Sequence, residues 1–440
     1  MSEIHAETAY VRTEMLPEQA PPITAAGPVK WMRENLFSSP LNAILTVLSI
    51  FVIYYVLQGI LPWMVNGIWD AGSLSECREI RDARGGSSEH GHGVACWAVL
   101  TDRWHQLTFG FYPSDLYWRP ILSLVIFLVA LAPVLFDTVP RKLFILTAAA
   151  PFLCAWLLWG GTIWGPLMIA VGFVIGWAIF KFGAPAIGAL GATIAAILIP
   201  ILYWLFIAGP VAGALSSAIP LGITPVPSDD FGGFLLAFVI GASGIILSMP
   251  LGIILALGRQ SDLFIINKFS VIFIEVIRGV PLIVWLFTAS LLLNYFLPPG
   301  TNFDLMLRVI IMVTLFSSAY IAEVIRGGLA ALPRGQYEGA DSLGLNYWQS
   351  MQLIILPQAL KISIPGIVSS FIGLFKDTVL VVFVGLSDPI GFSNLIRATT
   401  DWNGIYWELF IFIGLCFFIC CYGMSRYSQY LERKLRTDHR

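Results

Sequence analysis

From Leu143 to Ser228 the chain carries a single charged residue, Lys181. Charge-free runs also cover Leu41 to Trp69, Pro120 to Phe136, Phe231 to Gly258 and Gly279 to Phe303. No other feature limits the fold so tightly. A helix needs roughly 20 apolar residues to cross the hydrocarbon core of a bilayer, and runs this apolar have no face to offer water. Hydrophobic residues make up 57% of the chain and charged residues 12%, where soluble domains average roughly 25% charged. The chain is therefore an all-α polytopic membrane protein whose spans face membrane lipid. A net charge of −2 gives no footing for a nucleic-acid partner.

Divided at Gly and Pro turns such as Gly160-Gly161, the sequence predicts ten spans: 42–64, 119–136, 143–159, 163–180, 185–208, 231–257, 277–296, 305–326, 365–385 and 405–425. The pair within 143–180 is short and closely spaced, so a re-entrant hairpin is the alternative there. Orientation follows from Lys and Arg, which concentrate in cytoplasmic loops. With the N-terminus inside, those loops receive Arg12, Lys30, Arg33, Arg141, Lys142, Lys181, Arg259, Lys268, Arg334 and Lys361. The tail adds Arg426, Arg433, Lys434, Arg436 and Arg440, so both termini are predicted to be cytoplasmic. Of the short outside loops, only one carries a basic residue, Arg397. The outside loop 65–118 is long enough to translocate largely regardless of its charge. Residues 1–40 are polar, with Glu3, Glu7, Glu14, Glu18 and a Pro21-Pro22 pair. They read as a disordered cytoplasmic arm rather than a cleavable signal peptide.

Thr224-Pro225-Val226-Pro227 divides the rest into a membrane region at 41–224 and a second at 225–440, five spans each. Ionisable residues cluster only in the second: Glu275, Arg278, Arg308, Glu323, Arg326, Lys376 and Asp377. Charges in a bilayer cost several kcal/mol unless paired or hydrated, so function is expected where they are tolerated.

The predicted cytoplasmic loop 327–364 contains the most specific stretch, Pro333-Arg334-Gly335-Gln336-Tyr337-Glu338-Gly339-Ala340-Asp341-Ser342-Leu343-Gly344. Gln336 to Leu343 reads as a helix that Gly344 ends in a left-handed conformation. Asn346 can cap a second helix, with Gln349 completing a capping box. Trp348, Met351 and Ile355 recur on one face of it, and Pro357 is expected to stop the run. An amphipathic helix pair of this kind suits a partner protein.

This stretch resembles the cytoplasmic loop of permease subunits of ATP-binding-cassette (ABC) importers. Their pattern is Glu-Ala-Ala, three residues, Gly, nine residues, then Ile-x-Leu-Pro. Glu338, Gly339 and Ala340 stand at the first positions, Gly344 follows, and Ile354-Ile355-Leu356-Pro357 closes it. Gly339 replaces an Ala, which weakens the helix by roughly 1 kcal/mol yet keeps the residue small. Leu251–Arg259, Glu275–Leu282, Ser318–Gly328 and Lys376-Asp377-Thr378 extend the likeness to the polar amino-acid branch. The extra N-terminal spans resemble the long permease of the general L-amino-acid importers of Gram-negative bacteria.

The resemblance implies a type I permease core in the C-terminal five spans and translocation of amino acids across the inner membrane. It implies ATPase coupling through Gln336, Glu338, Gly339, Ala340, Gly344, Ile354, Leu356 and Pro357. Its partners would be an ATPase subunit dimer, a second homologous permease subunit and a periplasmic amino-acid-binding protein. No Gly-x-x-x-x-Gly-Lys-Ser/Thr segment cradles phosphates, so ATP and Mg belong to the partner ATPase and the chain is not read as an enzyme. Five spans in each half keep an ion-coupled secondary transporter as the alternative. Against it, the segments at Glu275–Gly279 and Lys376–Thr378 have no counterpart in the first half.

No His lies in a predicted span, so an intramembrane metal site or His relay is not expected. His90, His92 and Cys96 have ligating side chains, but Gly85-Gly86-Ser87-Ser88 beside them favours a mobile loop. Cys77 and Cys96 fall in the long outside loop, an oxidising setting, and are expected to form a disulfide. Cys154, Cys416, Cys420 and Cys421 fall in spans and are expected to stay reduced. The candidate solute path comprises Glu275, Arg278, Lys376 and Asp377, with a purely structural ion-pair cluster as the alternative. Lys376 and Asp377 lie near the middle of span nine, one facing the path and the other pairing with Glu275 or Arg278. Glu275 and Arg278 are also spaced to pair along one helix.

Overall fold

The computed structural model describes residues 27–84, 93–292 and 304–435. Among them, nine helices are long and apolar enough to cross a membrane, or ten if one sharply bent pair counts as a span. The residues fall into two compact units.

The first unit holds the described residues up to Ile68 together with Cys77–Cys96. Helix α1 (Pro28–Asn35) occupies part of the predicted disordered arm, with Lys30 and Glu34 one turn apart as an ion pair. Helix α2 (Pro40–Val65) starts at Ser39, whose Oγ accepts the Asn42 N–H at 3.2 Å. Pro40 sits in its first turn, where a missing N–H costs nothing. Beyond α2, Cys77, borne on α3 (Leu74–Ala83), and Cys96 form a disulfide with Cα atoms 6.0 Å apart. Cys154, Cys416, Cys420 and Cys421 are free. His90 and His92 lie outside the described residues, among which no group of three His, Cys, Asp or Glu could hold a metal ion.

The second unit holds Trp69–Glu76 and the described residues from Trp97 onward. It begins with α4 (Ala98–Phe109), α5 (Trp118–Leu135), α6 (Phe144–Trp159), α7 (Trp164–Tyr203) and α8 (Gly209–Ala218). The pair at 143–180 is two helices of crossing length, Arg141–Trp159 and Trp164–Gly188, rather than a short hairpin. The fifth span lies at Gly191–Ala218, later than the predicted 185–208, because the chain breaks at Gly188 with φ +75°. Lys181, assigned to a loop by its charge, lies inside α7. Its Nζ rests 4.8 Å from the Trp177 ring and 5.7 Å from that of Phe182, so aromatic faces stand in for water.

The turn at Thr224–Pro227 is a seam inside this unit. Strand β1 (Gly161–Thr162) pairs antiparallel with β2 (Gly222–Ile223). Val226 N–H donates to Trp159 O at 2.9 Å, and Trp159 Nε1 donates to Ser228 Oγ at 2.8 Å. Gly160, at φ +70°, lies so close to Thr224 O that no side chain fits. The predicted absence of ionisable residues from the first five spans misses Arg119, which opens α5 and is 3% exposed. Its Nη1 donates to Thr224 O at 2.6 Å beside Tyr112, whose hydroxyl donates to Leu158 O at 2.8 Å.

The remaining elements are α9 (Gly233–Arg259), α10 (Phe264–Arg278), α11 (Leu282–Phe287) and α12 (Leu305–Ala330). After these come α13 (Arg334–Ser342), α14 (Tyr347–Ser350), α15 (Leu356–Asp377), α16 (Pro389–Arg397) and α17 (Trp407–Leu435). Small residues let α9 and α12 approach closely: a Cβ on Gly252 would stand 2.6 Å from Ile321 Cγ2. Such contacts are the usual packing device between apolar helices. The predicted span 277–296 is instead the bent pair. Helix α10 meets the segment Leu282–Leu292 at 102°, and Pro281 between them can neither donate to a helical ladder nor allow helical backbone before it with ease.

Candidate functional site

Helices α13 and α14 form the helix pair that the motif predicts. Helix α13 starts at Arg334, two residues before the expected Gln336, and ends at Ser342. Gly344 follows at φ +71°. Its N–H donates to Asp341 O at 2.9 Å and Leu345 N–H to Ala340 O at 3.2 Å, closing the last turn. Asn346 and Gln349 exchange hydrogen bonds as a capping box, at 2.9 and 3.1 Å. Gln358 Nε2 donates to Gln336 Oε1 at 2.9 Å and ties α13 to α15.

Pro357 does not stop the run. The chain is helical almost throughout Tyr347–Val384, 38 residues, because Met351–Ile355 widen into a π-turn just before the proline. A wide turn makes room for a ring that would otherwise clash with the carbonyl four residues back. It also removes rotation, so Trp348 does not share the buried face of Met351 and Ile355. Trp348 is 70% exposed, while Met351 and Ile355 are buried. Thirty-eight helical residues extend about 57 Å, against a hydrocarbon core of roughly 30 Å, so one end must project from the bilayer.

Glu338, Gly339 and Gly344 lie exposed on the helix pair, whereas Ala340 is buried and Ile354 and Leu356 are partly so. Around them Leu343, Tyr347, Trp348 and Leu353 are exposed; the sequence reading places Trp348 on the packed face and does not single out Tyr347 or Leu353. Exposed apolar groups outside the bilayer mark a contact surface.

Glu275 and Arg278 belong to an ion-pair cluster where α9, α10 and α12 meet. Arg259 Nη1 reaches Glu275 Oε1 at 2.9 Å and Glu323 Oε2 at 3.2 Å. Arg278 Nη1 stands 3.8 Å from Glu323 Oε2, and Arg326 Nη2 is 2.5 Å from Glu323 Oε1. The expected pairing of Lys376 or Asp377 with Glu275 or Arg278 is therefore replaced, as is the pairing of Glu275 with Arg278. Lys376 and Asp377 are at the end of α15, where it tightens into the 3₁₀ segment Thr378–Val384, inside the span that runs on to Val384. Among the described residues neither makes an ion pair.

The Asp388-Pro389 pair is a helix-start signal that the sequence reading passed over. It caps α16, with Oδ1 accepting the Gly391 N–H at 2.8 Å. The residue is fully buried and Oδ2 has no partner among the described residues. Burial pushes its carboxyl up from 3.8 to about 6.

A polytopic helical protein that presents an exposed, capped helix pair beyond its spans has the build of a transporter subunit driven from outside the membrane. Comparisons with known proteins give that class its family. Residues 248–437 match the model described as binding-protein-dependent transport system inner membrane component. The chain is 58% identical over 441 residues to the glutamate/glutamine/aspartate/asparagine transport system permease protein BztC of Rhodobacter capsulatus, covering 99% of this chain and 100% of that one. It is 37% identical over 410 residues to the inner membrane amino-acid ABC transporter permease protein YhdY of Escherichia coli, covering 92% and 93%. One solved structure, an amino acid ABC transporter with histidines, is 30% identical, with a TM-score of 0.41, covering 46% of this chain and 91% of that one. The chain belongs to the family of amino-acid ABC importer permeases, the binding-protein-dependent inner-membrane components. It is a multi-pass transport subunit rather than an enzyme, works with an ATPase on a separate chain and a substrate-binding protein, and is not a secondary transporter.

Proposed function

We propose that this permease carries acidic and amide amino acids into the cell. The reading rests on full-length similarity to a permease named for those four solutes. The observation that carries the mechanism is the α13–α14 pair, whose left-handed Gly344 and Asn346–Gln349 capping box fix two short helices at a set angle. This end of the molecule faces the cytoplasm, as do both termini, and loop 65–118 faces the periplasm. A dimer of ATPase subunits, holding ATP and Mg, docks on Glu338, Gly339 and the exposed Leu343 and Trp348. Gln336, Ala340, Gly344, Ile354, Leu356 and Pro357 shape that docking element from within. A second, homologous permease completes the pathway, and a periplasmic amino-acid-binding protein delivers the solute. Binding of ATP shifts the population between inward-open and outward-open states through its preference for one of them.

Residues 225–440 form the translocating core, beside the arm at 1–40 and the region 41–224. Lys376 and Asp377 are the polar groups on the solute path, placed where α15 gives way to a 3₁₀ segment. Glu275 and Arg278 stand at its cytoplasmic end. The test compares Glu338→Lys and Gly344→Val with wild type in membranes holding the whole importer. Gly344 has open space around it, so valine there acts only through backbone strain, about 1 kcal/mol or more. Both variants should insert normally and lose amino-acid uptake together with ATPase pull-down or solute-stimulated hydrolysis. Wild-type uptake by both would refute the coupling role.

A further inference from the structure

Five charged side chains converge where α9, α10 and α12 come together, and a single carboxylate organises them. Glu323 faces guanidinium groups from all three helices: Arg259 at the end of α9, Arg278 at the end of α10 and Arg326 one turn along α12. Glu275 pairs with Arg259 and acts at longer range on Arg326. Three cations against two anions leave the cluster dependent on Glu323, since its loss would leave three guanidinium groups facing one carboxylate.

The packing beneath the cluster is closed. Ile274 of α10 and Ile321, Ala322 and Ile325 of α12 are 0% exposed. Ile321 fills the space over Gly252 of α9, and Ser270 of α10 fills the space over Gly258. Asn267 Nδ2 donates to Arg259 O at 2.6 Å across the turn between α9 and α10. Packed seams of this kind do not open and close by degrees, so α9, α10 and α12 move as one body. Only Ala331, Leu332 and Pro333 separate α12 from α13. A displacement of α13 therefore reaches α12 through this short link, as it reaches α15 through the Gln358–Gln336 bond, and the cluster is the polar tie that hands it from α12 to α9 and α10.

We propose that Glu323 is a positioning residue for coupled transport: it clamps α9, α10 and α12 into the rigid body through which movement of α13 reaches the solute path. The inference rests on the reading of α13–α14 as the ATPase-docking element. Its own failure is distinguishable, because Glu323 is not on the docking face. In the whole importer, Glu323→Gln should leave ATPase association and solute-stimulated ATP hydrolysis near wild type. Uptake per ATP hydrolysed should fall about tenfold, the size of one ordinary coupling free energy. A proportional fall of uptake and hydrolysis would mean a merely structural tie and overturn the proposal, as would loss of ATPase association.

A second experiment replaces the tie by a covalent one. Arg259→Cys with Glu323→Cys, the pair that ties α9 to α12, in a background where Cys154, Cys416, Cys420 and Cys421 are alanine, should lower uptake. Joining the two new thiols with a short bismaleimide should restore it toward the level of that background. Uptake that stays low after cross-linking overturns the rigid-body clamp. The coupling-loop reading would fail separately, by wild-type uptake in both Glu338→Lys and Gly344→Val.

Discussion

Trp402 donates its indole N–H to Asp102 Oδ2 at 2.7 Å across 300 positions of sequence. Asp102 also pairs with Arg103 at 2.8 Å, and Arg103 stands 3.7 Å from Asp401. The contact anchors α4, which sequence reasoning left in a long loop, to the segment between α16 and α17. Trp402 is fully buried, so Trp402→Phe keeps most of the apolar contact and removes the donor. The expected loss is about 1–3 kcal/mol, read as a lower melting temperature of the purified permease. An Asp102→Ala, Trp402→Phe pair should be less than additive, and full additivity would argue against the bond.

Arg119 offers a second test. Its buried guanidinium closes the seam by donating to Thr224 O, and Arg119→Met removes that donor while keeping the stem. The unfolding free energy should fall by about 2–3 kcal/mol, with faster proteolysis at 219–227. Arg119→Lys should recover only part of the loss, because an ammonium lacks the planar fork of donors. Burial raises the neighbouring Tyr112 phenol, and Arg119 opposes that effect. The methionine variant should therefore titrate Tyr112 still higher by ultraviolet difference absorbance.

Asp388 makes stability depend on pH. Its folded pKa of about 6 lies above the ordinary 3.8, so between those values the folded state holds more proton than the unfolded one. The contribution of this carboxyl to stability is thus fullest below pH 3.8, falls as pH rises towards 6, and levels off above it. The difference is roughly 3 kcal/mol at 1.36 kcal/mol per unit. Asp388→Asn keeps the capping oxygen and cannot ionise. Subtracting its denaturation curve from that of wild type should give a slope confined to this window, with the variant the more stable at pH 8. A flat difference would show that the carboxyl titrates normally.

The disulfide gives a fourth. Cys77 and Cys96 close a loop with a sequence separation of 19, worth about 3 kcal/mol in the chain-entropy model. Reduction should therefore expose Leu74–Ala83 to proteolysis while the spans remain protected. Non-reducing mass spectrometry should find the 77–96 peptide pair, and quantitative alkylation of both thiols in the oxidised protein would exclude it.

The spans were legible because the cost of charge in lipid is written in composition: no ion pair or contact is needed to see that Phe231–Gly258 must cross. Gly344 and Asn346 were legible because caps act within four residues. What stayed hidden depends on partners distant in sequence. Arg119 looked like a span end because nothing local announces Thr224, 105 positions away. Glu275 looked ready to pair within its own helix, but the 102° bend after Arg278 swings α10 against α9 and α12, whose arginines and Glu323 claim those charges. Lys181 misled for the opposite reason, since aromatic faces can hold a cation that a charge rule assigns to water.

The π-turn at Met351–Ile355 gives this helix a slipped phase, like a screw whose thread has been cut with one residue too many. Everything from Leu356 onward keeps its angular setting against the membrane core, while α13 and α14 are displaced around the axis. Deleting one residue from the turn would restore ordinary pitch and rotate α14 by about 100° against the helix that follows, breaking the Gln358–Gln336 tie. On the proposed docking role, the azimuth at which the subunit meets its ATPase depends on the length of this turn, and a one-residue insertion or deletion here would change that fit while leaving the sequence of the proposed solute path intact.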